Sequence, residues 1–165
     1  HSLNGIFEKL DDDYVLFLNV YSRDGSINEV KRSFASDIEK GRMVVNDEIL
    51  NESEYLDLVK SSYIGIIWYP EIDPKDKNMY FIGMSSGKLN SFLSCGIPVV
   101  MPNYFPGFVD LKKKCDVGEL FENAGDIPGV VRKISNRHGS YFENIKSFYI
   151  KEIEFEEKFN QLYRI

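Results

Sequence analysis

No run of eighteen apolar residues occurs in this sequence, and no basic-then-apolar segment stands at its start, so nothing in it reads as a membrane span or an export signal. Cysteine is nearly missing as well. Cys95 and Cys115 are the only two, they form no C-x-x-C pair, and each sits beside a predicted strand, where a buried free thiol is usual. That excludes a disulfide framework and fits a reducing cytoplasm. Histidine is equally scarce: His138, in the turn-rich stretch "NRHGS", has no second His or Cys at ligand spacing, so no metal site is expected. Positive charge is short too. The 20 Lys and Arg residues against 26 Asp and Glu leave a net charge of -6, which offers nucleic acid no general attraction.

What is present has the makings of one globular domain. At 165 residues and 43% hydrophobic content, the chain can bury a real core. "YVLFLNVY" (14–21) is a short β-rich run, "SINEVKRSFASDIEKG" (26–41) has helix periodicity from a Ser cap to a Gly stop, and "RMVVN" (42–46) returns to strand character. Then follow a helix over 52–62, a buried strand over 63–70 and a loop. A helix ending at Gly96 and a strand over 97–102 come next. The cycle repeats with a helix at 108–115, a strand at 117–122 and a helix at 127–135. Strands alternating with helices of this length imply right-handed crossovers and a mostly parallel sheet covered on both faces, an α/β, Rossmann-like fold. The last segment, 140–165, is helix-forming with two apolar sets, Tyr141 to Tyr149 and Phe155 to Tyr163.

In doubly wound sheets, ligands sit outside the carboxyl ends of the strands. There the sequence places "PEIDPKDKNMY" (70–80), an irregular polar loop, and then "GMSSGKLNSFLSCG" (83–96). A P-loop is excluded, because three residues instead of four separate Gly83 from the Gly-Lys pair and Leu89 replaces the magnesium-binding hydroxyl. A structural role accounts for a serine cap, an apolar face of Leu89, Phe92 and Leu93, and a Gly96 stop. On that reading Lys88 merely points to solvent, and why two serines, a glycine and a lysine stand together at the ligand end is left unexplained. An anion-binding role adds the N-H groups and hydroxyls of Ser85, Ser86 and Gly87 on phosphate oxygens, with Lys88 as counter-charge. Other residues carry weaker signals. Trp68 and Tyr69 end a strand on the ligand side, where an aromatic either stacks on a nucleobase or simply fills the core. Asn78 and Tyr80 reach a ligand from the loop or stay solvated, and Arg23 is a surface arginine unless it approaches a phosphate.

These stretches resemble the C-terminal, nucleotide-sugar-binding domain of GT-B (group 1-like) glycosyltransferases. In that family a pattern K-x-x-E-Y-x-A-x-G-x-P-V-V follows the donor-phosphate loop, and Lys88, Phe92, Gly96, Pro98, Val99 and Val100 match it. "CDVGELFENAGDIPGVVRKI" reads like the family's next stretch. The resemblance implies a donor-binding domain over 1–139, with 140–165 crossing back onto an acceptor-binding N-terminal domain outside this sequence. "YVLFLNV" falls on the family's second strand and "SLNGIFEKL" on its first helix, so the chain reads as truncated ahead of a first strand. The implied ligand is a nucleoside-diphosphate sugar held without a metal or other cofactor, its diphosphate on Ser85, Ser86, Gly87 and Lys88. Asn90, Ser91, Tyr69 and Asn78 are then the candidates for ribose, base or sugar contacts. The implied acceptor is a glycan or a lipid-linked sugar, which admits a cytoplasmic protein with peripheral membrane association in its full-length form.

The family's usual pair of glutamates is replaced here by Gly83 and Ser91, so no catalytic residue and no stereochemical class follow from the resemblance. The same replacement implies an alternative: a non-catalytic domain that binds a sugar nucleotide or a partner without turnover.

Overall fold

Five short strands carry the densest apolar runs of the chain, and every pairing among them is parallel. The computed structural model describes residues 6–20, 26–69 and 82–152. Within them, β1 (Leu16–Asn19) pairs with β2 (Met43–Asn46), with Phe17 opposite Val44. A second sheet has the order β3-β4-β5, formed by Gly65–Ile66, Val99–Pro102 and Gly118–Phe121. Among the described residues β1 and β3 do not pair.

The helices are α1 (Ile6–Lys9), α2 (Ser26–Ser33), α3 (Ala35–Glu39), α4 (Glu52–Ser61), α5 (Gly87–Ser94), α6 (Pro106–Lys114), α7 (Ile127–Ser135) and α8 (His138–Glu152). Their starts follow local chemistry. Asn51 caps α4 by accepting from the Glu54 N-H at 3.0 Å, and the Glu54 carboxylate accepts the Asn51 N-H at 2.8 Å. Prolines open α6 and α7, where a missing N-H costs nothing. Gly96, at φ 74°, supplies the left-handed turn after α5.

Strand and helix order agree with the α/β, Rossmann-like expectation, with two local differences. The helix expected over 26–41 breaks at Phe34, whose φ of -113° and ψ of 21° leave the helical region and whose buried ring meets Phe7 edge-on at 6.1 Å. His138, expected in a turn, instead opens α8. Its ring stacks on Tyr63 at 4.0 Å, with Nε2 2.9 Å from the Tyr63 carbonyl oxygen. The second apolar set of the C-terminal segment, Phe155 to Tyr163, lies outside the described residues.

Strand residues alternate between two cores, as period 2 requires. Ile67, Val99 and Met101 face α5, α6 and the Ile145 turn of α8. Ile66, Val100 and Phe121 face Ile6 of α1 and Ile127, Val131 and Ile134 of α7. A third cluster joins Phe7, Phe34 and Met43 beneath the first sheet. No helix among the described residues is long and apolar enough to cross a membrane.

Candidate functional site

The loop before α5 is shaped by its neighbours. Gly83 to Ser85 form one 3-10 turn, and Gly83 has φ 26°. A Cβ at Gly83 would stand 2.9 Å from the Gly107 Cα of α6, so this turn lies backbone against backbone on that helix. The Ser85 hydroxyl donates to the Ile82 carbonyl at 2.5 Å, and its side chain is exposed.

Ser86 is the pivot. Only 1% exposed, it takes an extended conformation and its Oγ accepts the Leu89 N-H at 3.2 Å, which satisfies one orphan donor of α5. The same hydroxyl lies 3.0 Å from the Tyr69 phenol oxygen. Tyr69 is held from three sides. Its carbonyl accepts from the Tyr104 hydroxyl at 2.7 Å, and its ring meets Phe105 edge-on at 6.0 Å and stacks with Phe108 at 6.3 Å.

On that ring sits Lys88. Its Nζ lies 4.5 Å from the Tyr69 centroid and 3.5 Å from the carbonyl oxygen of Trp68, two residues past β3, a long contact. The residue as a whole is exposed, but partial burial of the ammonium against the tyrosine lowers its pKa below the ordinary lysine value. No carboxylate among the described residues forms an ion pair with it. Gly87 is exposed beside it. A cation and the first N-H groups of α5 thus meet beyond the carboxyl end of β3, where an anion gains from both, while the hydroxyls of Ser85 and Ser86 are already bonded within the protein.

The remaining sequence candidates divide. Ser91 turns its hydroxyl back onto the Gly87 carbonyl at 3.0 Å, and Asn90 lies half-buried one position before it. Trp68 points to the other face of the sheet from Tyr69 and stacks on Phe121 at 5.5 Å. Asn78, Tyr80 and Arg23 lie outside the described residues. No group of three or more His, Cys, Asp and Glu side chains among the described residues is placed to hold a metal ion.

One charged cluster has no counterpart in the sequence reading. Glu119 of β5, 7% exposed, accepts from the Tyr141 hydroxyl at 2.5 Å, from Lys133 at 2.9 Å and from Lys112 at 3.1 Å. Burial pushes its carboxyl up, but the hydrogen bonds from Tyr141, Lys133 and Lys112 outweigh it and hold the pKa below the ordinary range. Burial and the Glu119 carboxylate raise the Tyr141 phenol in turn. Lys112 also bonds Asp116 and donates to the Gly118 carbonyl at 2.7 Å, closing the outer edge of β5. Lys112 and Tyr141 stand 7 and 22 positions from Glu119 and come with Lys133 from three different helices, so no local sequence signal marks the cluster. A shallow cavity of about 400 Å³ lies beside this cluster, lined by Glu119, Lys133, Arg132, Lys9, Gly125 and Gly129; none of the Gly83–Lys88 residues lines it.

Compared with family models, with curated proteins and with solved structures, the chain matches none of them.

Proposed function

We propose that the chain is the donor-binding half of a glycosyltransferase, and that it holds the diphosphate of a nucleoside-diphosphate sugar at the start of α5. The observation that carries this reading is Lys88: a partly desolvated ammonium, seated on Tyr69 at the helix start, without a carboxylate partner among the described residues. Leaving-group charge that develops on a diphosphate is stabilised by such fixed donors without a metal. The likeness of 88–100 to the GT-B pattern supplies the sugar nucleotide. Exposed Gly87 offers the first N-H of α5, whereas the N-H and the hydroxyl of Ser85 both donate to the Ile82 carbonyl and the Ser86 hydroxyl is already engaged with α5 and Tyr69.

A second reading, binding without turnover, is favoured by the two positions that lack carboxylates. Gly107 fills the space a side chain at 83 would need, and the Ser91 hydroxyl is turned onto its own helix.

Titration calorimetry with UDP and GDP tests the first reading. Lys88→Ala is expected to weaken binding by about 1.5–3 kcal/mol, the range for a charge-assisted contact. Lys113→Ala, which removes a surface pair with Asp110, is expected to change nothing. Equal affinity of the Lys88→Ala variant and the parent would overturn the assignment.

A further inference from the structure

The cavity beside Glu119 has features that closing a sheet edge does not explain. Side chains alternate along β5, so Glu119 shares its face with Phe121, on the side of the sheet covered by α1 and α7 and away from α5. The Glu119 side chain is 9% exposed, and its three partners converge on one oxygen: the Tyr141 hydroxyl, the Lys133 ammonium and the Lys112 ammonium all reach Oε1. Oε2 meets no donor among the described residues. Nor is it sealed from solvent. Glu119 and Lys133 line the cavity whereas Lys112 and Tyr141 do not, so the cavity is where the uncommitted oxygen of a nine-tenths-buried carboxylate opens outward.

The wall opposite is kept low by glycine. Gly129 lies within α7, where glycine costs a helix roughly 0.5–1 kcal/mol against alanine. Neither backbone nor packing calls for it, because its φ is not positive and a Cβ there would meet nothing within 4 Å. The same holds for Gly125. Both line the cavity, so the space their missing side chains leave belongs to it.

Three cations stand around this space. Arg132 spends Nη1 on the Lys9 carbonyl at 2.9 Å and Asp11 at 3.4 Å, which ties the end of α1 to α7 and leaves Nη2 without a partner among the described residues. Lys9 forms no ion pair among them. Lys133 holds Glu119 at 2.9 Å and is otherwise half-exposed. The second carboxylate on the wall, Asp126, is committed to the N-H groups of Glu122 and Asn123 at 3.2 and 2.8 Å. A ligand that offers a hydrogen-bond donor at one end and an anion at the other matches this layout. An ammonium donor would meet the two lysines already on Glu119, so a neutral hydroxyl is the group that fits Oε2. At the rim, a phosphate brings three acceptor oxygens to three cations.

We propose that the cavity between α1, α7 and β5 binds a small phosphate monoester that carries hydroxyls, a sugar phosphate, with a hydroxyl donating to Glu119 Oε2 and the phosphate resting on Lys9, Arg132 and Lys133. Its volume of about 400 Å³ lies within the range of small-molecule sites. The site is independent of the reading given to the α5 loop, none of whose residues lines it.

Titration of the nitrogen-labelled chain, followed amide by amide in two-dimensional NMR, tests this with glucose 1-phosphate, glucose 6-phosphate, glucose and inorganic phosphate as probes. A sugar phosphate is expected to shift the Gly125, Gly129 and Lys133 amides saturably, with glucose and inorganic phosphate each binding about tenfold more weakly or worse. Lys9→Ala breaks no ion pair among the described residues and is expected to weaken the sugar phosphate by about tenfold. Gly129→Leu fills the cavity from a position with open space and is expected to abolish the shifts while the Tm stays parental. Lys88→Ala is expected to leave them unchanged. Absence of saturable shifts at the three amides with both sugar phosphates overturns the proposal, as does parental affinity in either Lys9→Ala or Gly129→Leu. Inorganic phosphate that binds as tightly as the sugar phosphates overturns the contact to Glu119. Shifts that vanish in Lys88→Ala put the ligand at α5 and overturn the site.

Discussion

Replacing Ser86 separates the two tasks its one hydroxyl performs. In Ser86→Ala the N-H of Leu89 loses its acceptor in a buried setting and the Tyr69 phenol loses its partner in a partly buried one. A lost serine cap costs about 1 kcal/mol. A phenol left without its hydrogen bond adds about 1 kcal/mol. The sum, about 2 kcal/mol, corresponds to roughly 4–8 °C in Tm for a chain of this size. Ser86→Gly keeps the extended backbone and costs only a few tenths as a cap, so it isolates the Tyr69 bond at about 1 kcal/mol. Urea unfolding followed by far-UV circular dichroism measures all three proteins, with unchanged m values as the check that unfolding stays two-state. The variants also report on the site. Tyr69 carries the Lys88 ammonium, so loosening the phenol is expected to weaken nucleotide binding less than Lys88→Ala does. If Ser86→Ala falls within about 0.5 kcal/mol of the parent, as an ordinary surface substitution would, the buried double role of this hydroxyl is refuted.

Two further outcomes follow from the packing and the charges. Gly118→Ala would put a Cβ 1.9 Å from the Val99 carbonyl oxygen of the paired strand, a backbone clash expected to cost more than about 4 kcal/mol; a soluble variant with parental Tm would refute it. Glu119 has a folded-state pKa below its ordinary 4.5, so its contribution is fully present above that value and is lost as the pH falls through the lower, folded one. Glu119→Gln should therefore destabilise at pH 7 and flatten the acid limb below pH 4.5, and a parallel limb in thermal melts across that range would count against the cluster.

The order of strands and helices was legible because period-2 and period-3.6 patterns, a Ser at a helix start and a Gly at its end are local signals, and the strand and helix order of the structure follows them from β1 to α8. The break at Phe34 was not. It is set by the fit of one ring onto Phe7, a contact between segments far apart in sequence. The loop around Lys88 was legible as a helix start with small residues, but which hydroxyl stays open to solvent was not: Ser85 and Ser86 look alike in sequence, and only the tyrosine from β3 decides that Ser86 is consumed. Tyr104 carried no signal either, since its role is to hold a carbonyl 35 positions away. The same holds for Glu119, an acidic residue in a strand whose charge is tolerated only because α6, α7 and α8 each bring a donor to it.

The chemistry of the loop limits how it recognises a ligand. Neither position where the resembled family carries a carboxylate offers one: a Cβ at residue 83, near the donor sugar in that family, would already meet α6, and the Ser91 side chain, at the position that reads the ribose there, is bonded inward to Gly87. What remains is the start of α5 at exposed Gly87 and one lysine. These attract charge and ignore the sugar and the base, because dipoles and an ammonium act on phosphate oxygens in any nucleotide. Selectivity in such a site has to come from surfaces beyond Lys88. Trp68 and Tyr69 point to opposite faces of the sheet, and Trp68 is stacked on Phe121, so the aromatic pair that ends β3 does not supply a common platform for a base. On the proposed reading, ligand choice would rest on the segments that flank the carboxyl ends of the strands, and the loop at α5 would set only the position of the phosphates.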